Sequence, residues 1–168
     1  MAKIGVVGLG DMGSGLAKNL IAGGFEVWGI DLKPERMAAF EEMGGHPAST
    51  LQEVASGADA VFVMVMKGSE AKAVLFGPEK LLENMPLGSA VILTATIKPS
   101  EAQQIGEEME GAGIDLVDSP VSGGFPGAQS GTLTMMAAAP EDVLDRLAPV
   151  MEAVSANIHR VGTKPGDG

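Results

Sequence analysis

The fold of this chain is decided by residues 3–31, which read KIGVVGLGDMGSGLAKNLIAGGFEVWGID. An apolar run with β-branched members leads to Gly8 and predicts a buried strand of a parallel sheet. Apolar residues then recur at helical spacing, namely Met12, Leu16, Leu20 and Ile21. Gly23 and its glycine neighbour end that helix, and a second apolar strand over residues 25–30 leads to Asp31. The stretch therefore predicts a βαβ unit with a glycine-rich turn.

The turn itself reads Gly8-Leu9-Gly10-Asp11-Met12-Gly13. Gly8 permits the tight turn, Gly10 lets a pyrophosphate approach the backbone, and Gly13 lets the helix pack close to the strand. The helix start offers unpaired N–H groups and a partial positive charge, which suit a phosphate. Asp31 lies 18 residues beyond Gly13 and can accept a hydrogen bond from a ribose hydroxyl. The pattern predicts a dinucleotide site, because strand, helix, second strand and acid accompany the glycines.

The composition limits the possible partners and chemistry. The 168 residues carry 11 Lys and Arg against 22 Asp and Glu, a net charge of −11, which argues against nucleic acid or an anionic membrane as a partner. There is no cysteine, so disulfides and thiolate chemistry are excluded. The longest apolar run is far shorter than a membrane span, and no signal peptide or metal-ligand spacing is apparent. We expect a soluble, cytoplasmic protein without a metal site.

The rest of the chain alternates apolar strands with helical segments. Strands are predicted at 60–66, 90–93, 114–117, 132–138 and 159–161. Helices are predicted from Pro34, over 51–56 with Ser49 or Thr50 as cap, and over 69–75, 101–110 and 140–154. This alternation predicts an α/β fold with a doubly wound, mostly parallel sheet, whose ligands bind at the carboxyl ends of the strands. Residues 120–131, rich in glycine and proline, are expected to lack regular structure.

Two motifs more than 100 residues apart resemble those of one family, the β-hydroxyacid dehydrogenases, which include 3-hydroxyisobutyrate, threonate and tartronate semialdehyde enzymes. The first is residues 8–20, GLGDMGSGLAKNL, and the second runs from DSPVSGG at 118–124 to GTLT at 131–134. The resemblance covers the whole chain. It implies a Rossmann-like NAD(P)-binding domain over residues 1–161, with residues 162–168 starting a linker to a helical domain.

The resemblance also implies an activity and further site residues. The family exchanges a hydride between a nicotinamide and a small 3-hydroxy acid or its semialdehyde. Ser122, Gly123 and Gly124 would bind the substrate; these residues by themselves favour a structural turn, and it is the resemblance that favours a binding loop. Met66 and Lys67 occupy the position of a cofactor-proximal pair in the family. Lys67 replaces a proline there, and it is either a phosphate ligand or a solvated surface lysine.

Two further positions bear on the coenzyme and on the branch of the family. Thr96 matches a threonine beside the nicotinamide ribose, and residues 93–95 favour the threonate-like branch. NADP-preferring members carry a neutral residue followed by arginine where this chain has Asp31 and Leu32. The carboxylate would repel a 2′-phosphate, so NAD is the expected coenzyme. NADP is the alternative, because Lys33 and Arg36 are close in sequence.

The family also uses a lysine as general acid and base, on a long helix that leaves the coenzyme domain. By the family's spacing this lysine would fall shortly beyond Gly168. We therefore expect the cofactor-binding domain of a longer, homo-oligomeric enzyme, inactive alone. The alternative is a non-catalytic NAD(P)-binding regulatory module, which would share this sequence through Gly131.

Overall fold

The computed structural model describes residues 2–65, 67–95 and 97–168. The strands are β1 Lys3–Val7, β2 Glu26–Ile30, β3 His46–Pro47, β4 Ala60–Val63, β5 Ala90–Leu93, β6 Asp115–Asp118, β7 Val121–Ser122, β8 Leu133–Ala138 and β9 Ser155–Gly162. The helices are α1 Asp11–Ala22, α2 Pro34–Glu42, α3 Leu51–Ala55, α4 Gly68–Phe76, α5 Pro99–Met109, α6 Gly124–Ser130 and α7 Glu141–Val154, with a 3-10 helix at Leu82–Asn84.

Six strands form a parallel sheet in the order β3-β2-β1-β4-β5-β6. Strand β8 pairs antiparallel with both β6 and β7, and β9 lies parallel to β8. Strand order reverses around β1, which is flanked by β2 and β4, so the carboxyl end of β1 lies at a topological switch point. The prediction of a doubly wound, mostly parallel sheet is confirmed.

Both faces of the sheet are covered, as the continuously apolar strands require. On one face, side chains such as Phe62 and Ile92 pack against Leu16 of α1 and Leu147 of α7. On the other face, a second cluster packs against α3, α4 and α5; it includes Val61, Val91, Val54, Leu75 and Ile105. None of the helices in the described residues is long and apolar enough to cross a membrane.

Helix α3 begins as its sequence predicts. The Thr50 hydroxyl accepts a hydrogen bond from the Glu53 N–H at 3.2 Å, and the Glu53 carboxylate accepts one from the Ser49 N–H at 3.2 Å. These bonds satisfy N–H groups that the helix cannot pair internally. Thr50 is therefore the cap, and the predicted alternative, Ser49, contributes only its main chain.

The expectation that residues 120–131 lack regular structure is wrong. Strand β7 and helix α6 both lie in this segment. Local propensity fails here because α6 packs along α1, where a Cβ at Gly15 would lie 2.6 Å from the Ala128 carbonyl carbon. Tertiary contact thus stabilises a seven-residue helix that glycine and proline would disfavour in isolation.

Two other segments differ from the predicted pattern. Strand β4 ends at Val63, three residues before the predicted end, and Met66 lies outside the described residues. The segment after β9 folds back onto the sheet: the buried Asp118 carboxylate accepts hydrogen bonds from the Gly166 N–H at 2.7 Å and the Gly168 N–H at 3.3 Å. His46 and His159 lie in β3 and β9, strands at the edges of the described sheet.

Candidate functional site

The glycine turn joins the carboxyl end of β1 to the start of α1. Gly8 has a φ of +96°, a conformation that L side chains rarely adopt, and a Cβ there would overlap the Met64 carbonyl oxygen. A Cβ at Gly13 would overlap the Gly8 carbonyl oxygen, because the first turn of α1 crosses directly over the end of β1. The local path of the chain therefore excludes side chains at both positions.

The amino end of α1 is the positively polarised end of a twelve-residue helix. Gly10 is its N-cap, and the first intrahelical bond runs from the Ser14 N–H to the Gly10 carbonyl at 2.8 Å. No side chain of the described residues caps this end. The N–H groups of the first turn, which begins with the exposed Asp11 and the partly buried Met12, are thus available to an anion.

Gly10 also provides a close approach for a ligand. The three atoms nearest to a Cβ built at Gly10 all belong to the guanidinium of Arg36, at 3.5–3.6 Å, which is ordinary van der Waals contact. The turn is therefore bordered by a positive charge at this point. A phosphate beside Gly10 would lie close to that guanidinium.

Asp31 follows the last residue of β2, the strand beside β1. Its Oδ2 accepts a hydrogen bond from the Leu9 N–H at 2.8 Å, and its Oδ1 accepts one from the Lys33 N–H at 2.9 Å. The Arg36 Nη1 lies 3.4 Å from Oδ2. The Asp31 side chain is only 8% exposed, whereas that of Arg36 is 40% exposed. The acid thus fixes the glycine turn to the end of β2.

These contacts determine the charge of Asp31. Burial by itself would raise the pKa of the Asp31 carboxyl, but the hydrogen bonds from Leu9 and Lys33 and the charge of Arg36 outweigh burial. The net result is a pKa below the usual range of an aspartate. Asp31 is therefore ionised at neutral pH. Each carboxylate oxygen has two lone pairs; Oδ2 accepts from both Leu9 and Arg36, whereas Oδ1 accepts only from Lys33, so one lone pair on Oδ1 is left to accept a ligand hydroxyl.

The remaining predicted coenzyme residues have different environments. Leu32 is fully exposed and follows Asp31 at the rim of the sheet. Lys67 is exposed and is the N-cap of α4, where its carbonyl accepts bonds from Glu70 and Ala71. Met66 and Thr96, two further predicted site residues, lie outside the described residues.

The predicted substrate loop lies beyond the carboxyl end of β6. Ser122 ends β7 and is exposed, and Gly123 is the N-cap of α6. Gly123 and Gly124 have φ angles of +124° and +58°. Residues 122–124 therefore form a turn in which both glycines have positive φ angles. The packing of α6 on α1 connects this loop to the glycine turn.

Two features of the site were missed by sequence reasoning. In the sequence, Arg36 is recognisable only as a residue close to Asp31. The structure brings its guanidinium close to both Asp31 and Gly10. Asn19, within α1, donates to main-chain carbonyls of α6 more than 100 residues away. A polar side chain on the mostly apolar face of α1 was the available signal for Asn19; no local signal identifies the position of Arg36.

The geometry fits a dinucleotide. The uncapped helix end and the Arg36 guanidinium beside Gly10 could donate to phosphates, and the ionised Asp31 held at the rim could accept from a ribose hydroxyl. Within the described residues, no three His, Cys, Asp or Glu side chains cluster to hold a metal ion. A parallel sheet with this turn and acid defines the class of nucleotide-coenzyme-binding domains of the Rossmann type.

The sequence identifies the family within that class. The chain belongs to the family described as the NAD binding domain of 6-phosphogluconate dehydrogenase, which it matches over residues 3–162. It is therefore an NAD(P)-binding domain, as its glycine turn predicted.

Its relatives are hydroxyacid dehydrogenases. L-threonate dehydrogenase of Escherichia coli (strain K12) is 37% identical over 166 residues, which are 98% of this chain and 55% of that protein. 3-Hydroxyisobutyrate dehydrogenase of Pseudomonas aeruginosa is 33% identical over 162 residues, 96% of this chain and 54% of that protein. The crystal structure of 3-hydroxyisobutyrate dehydrogenase from Salmonella typhimurium matches with a TM-score of 0.94 at 35% identity, covering 100% of this chain and 59% of that one.

The resemblance to β-hydroxyacid dehydrogenases is thus confirmed. The chain spans about 55% of the length of the curated relatives that it matches.

Proposed function

We propose that this chain is the coenzyme-binding domain of an oxidoreductase that exchanges a hydride between NAD and a small 3-hydroxy acid or its semialdehyde. The observation that carries the proposal is the ionised Asp31, held against the glycine turn by the Leu9 N–H at 2.8 Å. It supports a site in which a diphosphate and an adenosine ribose are bound by adjoining elements. When bound, the coenzyme supplies the hydride acceptor or donor.

The N–H groups at the start of α1 would bind the diphosphate, with Gly10 allowing its close approach and Arg36 adding a positive charge. This local charge matters because the chain carries a net charge of −11, which repels an anionic ligand at long range. Asp31 would accept a hydrogen bond from a ribose hydroxyl, and Leu32, exposed at the same rim, would adjoin the adenosine. We further propose that Lys67 and the undescribed Met66 and Thr96 border the nicotinamide half.

NAD is the proposed coenzyme, because a 2′-phosphate would meet the Asp31 carboxylate. Loss of the hydroxyl bond and the added repulsion would cost about 2–3 kcal/mol, or roughly 100-fold in affinity. Arg36 is the group through which NADP would be tolerated, since its guanidinium lies 3.4 Å from that carboxylate and is partly exposed. Pairing with Asp31 already engages this charge, which supports NAD over NADP.

The substrate is proposed from the second motif and from the names of the relatives. Ser122, Gly123 and Gly124 are exposed and have a short side chain or none, which suits the close approach of a carboxylate and a hydroxyl. L-threonate and 3-hydroxyisobutyrate dehydrogenases are both among the relatives, and both names describe hydroxy acids. A small 3-hydroxy acid is therefore the proposed substrate class.

We also propose that this chain, tested alone, binds the coenzyme without turnover. Removal of a hydroxyl proton requires a general base, and the resemblance assigns that role to a lysine that follows the coenzyme domain. The resemblance likewise assigns the completion of the active site and the formation of a homo-oligomer to a helical domain.

Titration calorimetry with NAD and NADP tests the coenzyme proposal. NAD should bind about 100-fold more tightly than NADP, and Asp31→Ser should weaken NAD while strengthening NADP. Asp145→Asn is the matched control: Asp145 is an exposed partner of Arg160 outside the site, so both affinities should stay unchanged. Tighter NADP binding by the unaltered chain would refute the NAD assignment.

A second measurement distinguishes the enzyme domain from a regulatory NAD(P)-binding module. Amide chemical shifts of Ser122, Gly123 and Gly124 are recorded with NADH present, with and without 3-hydroxypropionate. A module that only binds coenzyme should show no change at these three residues. Saturable shifts confined to them support a substrate loop, whereas NADH production by this chain from any 3-hydroxy acid would refute the proposed need for a further lysine.

A further inference from the structure

Asn19 connects α1 to α6, the short helix that begins at the predicted substrate loop, residues 122–124. It lies in α1, and its Nδ2 donates to the Ala128 carbonyl at 2.8 Å and to the Gln129 carbonyl at 3.1 Å, both in α6. The same Nδ2 also lies 2.9 Å from the Gly15 carbonyl of its own helix, so its two hydrogens are shared among three carbonyl oxygens. One amide group thus satisfies carbonyls of two helices that are more than 100 residues apart in sequence.

The surrounding residues keep the two helices close together. A Cβ at Gly15 would lie 2.6–2.8 Å from carbonyl and side-chain atoms of Ala128, so the glycine permits main-chain contact. The Gln129 side chain reaches the Ser14 hydroxyl at 3.5 Å. Helix α6 then ends at Gly131, which has a φ of +71°, and a Cβ there would lie 2.9 Å from the Asn19 Oδ1. Asn19 is therefore packed against the last turn of α6.

Helix α6 has little stability of its own. It has seven residues, of which two are glycine and one is proline, and helices this short are marginal in water without tertiary contacts. The carbonyls of its last turn have no partners within the helix, and the Asn19 side chain supplies donors to two of them. Asn19 therefore provides hydrogen bonds to the last turn that α6 cannot make on its own.

The substrate loop is attached to the other end of this helix. Residues 122–124 lead directly into α6, whose length is about 10 Å. Ser14, Gly15 and Asn19 follow directly on the glycine turn, within the first nine residues of α1. Asn19 thus links α1, which follows the glycine turn, to α6, which follows residues 122–124. The two proposed halves of the site are therefore attached to one pair of packed helices.

We propose that Asn19 is a positioning residue that holds the Ser122–Gly123–Gly124 loop, through α6, in a fixed place relative to the coenzyme turn. What the two halves of the site bind rests on the proposed function. The role of Asn19 in holding α6 against α1 does not depend on which ligands are bound. Asn19 belongs to neither proposed binding site, so its loss should disturb the substrate loop and spare coenzyme binding.

The test is Asn19→Asp, which keeps the side-chain size but replaces the donor with an acceptor. The Gly127 N–H, bonded to the Gly123 carbonyl at 3.0 Å, and the Thr132 N–H, bonded to the Gly127 carbonyl at 2.9 Å, report on α6 by hydrogen exchange. Both should exchange at least 10-fold faster in the variant. NAD affinity should stay within about twofold, while the shifts induced by 3-hydroxypropionate at Ser122 and Gly123 decrease or vanish.

Two further variants keep the result interpretable. Asn84→Asp is the matched control, because Asn84 also donates to a main-chain carbonyl, that of Lys80 at 2.8 Å, but far from the site; it should leave the Gly127 and Thr132 exchange rates unchanged. Gly15→Ala pushes α6 away without altering Asn19, and it should accelerate the same two amides. It remains informative even if the aspartate variant fails to fold.

Unchanged exchange at Gly127 and Thr132 in a folded Asn19→Asp variant, or in Gly15→Ala where the aspartate variant does not fold, would overturn the inference. So would a loss of NAD affinity in parallel with the loss of protection, because Asn19 would then act on the coenzyme site or on the whole fold. Failure of the unaltered chain to bind NAD, or to respond to 3-hydroxypropionate, is a different result: it would refute the proposed function and leave the exchange test of Asn19 valid.

Discussion

The Asp31 carboxylate accepts a hydrogen bond from the Leu9 N–H at 2.8 Å, across the gap between the glycine turn and the end of β2. The acid proposed to bind the ribose therefore also orders the loop proposed to bind the diphosphate. The Lys33 N–H, at 2.9 Å, and the Arg36 guanidinium, at 3.4 Å, complete its surroundings. This arrangement preorganises the site, because the acid and the turn are held in position before any ligand arrives.

Replacing Asp31 with asparagine should lower the free energy of unfolding by about 1–2 kcal/mol at pH 7, since a charged acceptor is lost. The folded state holds the pKa of Asp31 below its usual range, so its contribution is present above the ordinary aspartate pKa of about 3.9 and is lost as the pH falls through the lowered pKa. Urea unfolding of both proteins at pH 7 and at pH 3 measures this. The difference between them should shrink at pH 3; an equal difference at both pH values would contradict the charge-based explanation.

Gly13→Ala should destabilise the fold by about 3 kcal/mol, because the new Cβ overlaps the Gly8 carbonyl oxygen and the backbone must shift. Gly23→Ala is the control: Gly23 has a φ of −78°, and the nearest atoms to its Cβ lie at 3.4 Å. Gly23→Ala should change the free energy of unfolding by no more than about 0.5 kcal/mol. Thermal and urea unfolding distinguish the two, and equal stability of both variants would show that the turn tolerates a side chain.

Arg36→Gln should weaken NAD binding by about 5- to 10-fold at low salt, since it removes the positive charge beside Gly10. The effect should decrease as salt screens the phosphates. Arg146→Gln removes a comparable surface charge, paired with Asp115 at 2.7 Å, and should leave affinity unchanged. Calorimetric titration at two salt concentrations measures both. Tighter NAD binding by Arg36→Gln would mean that the guanidinium obstructs the turn instead of supporting the ligand.

Thr50→Ala should lower stability by about 1 kcal/mol, because the Glu53 N–H loses its acceptor at the start of α3. Ser49→Ala should change stability little, since only the main chain of Ser49 contacts Glu53. Urea unfolding of the two variants side by side tests the assignment of the cap. A larger effect at Ser49 than at Thr50 would reverse it.

Much of the fold follows from local pattern. Strand β5 has the predicted bounds, and α1, α2 and α5 begin or end within two residues of their predicted positions, because glycine and proline mark helix ends and buried parallel strands are continuously apolar. Residues 120–131 did not follow this pattern. Their regular structure depends on the contact of α6 with α1, which local propensity does not include.

For the candidate site, the sequence identified Gly8, Gly10, Gly13 and Asp31, since their spacing within one βαβ unit is itself the signal. It could not give the contact of Arg36 with Gly10, because that depends on how α2 turns back toward the rim of the sheet. It could not give the bonds of Asn19 either, since its partners are brought to it by β7 and β8.

The sequence alone thus determined most strands and helices outside residues 120–131, the glycine turn and the acid, because these are properties of short, contiguous segments. Only the tertiary structure decided which charges surround the turn and which contacts are made by the helix that follows residues 122–124. Those features arise where segments far apart in sequence meet, and their energies come from contacts that no single segment contains.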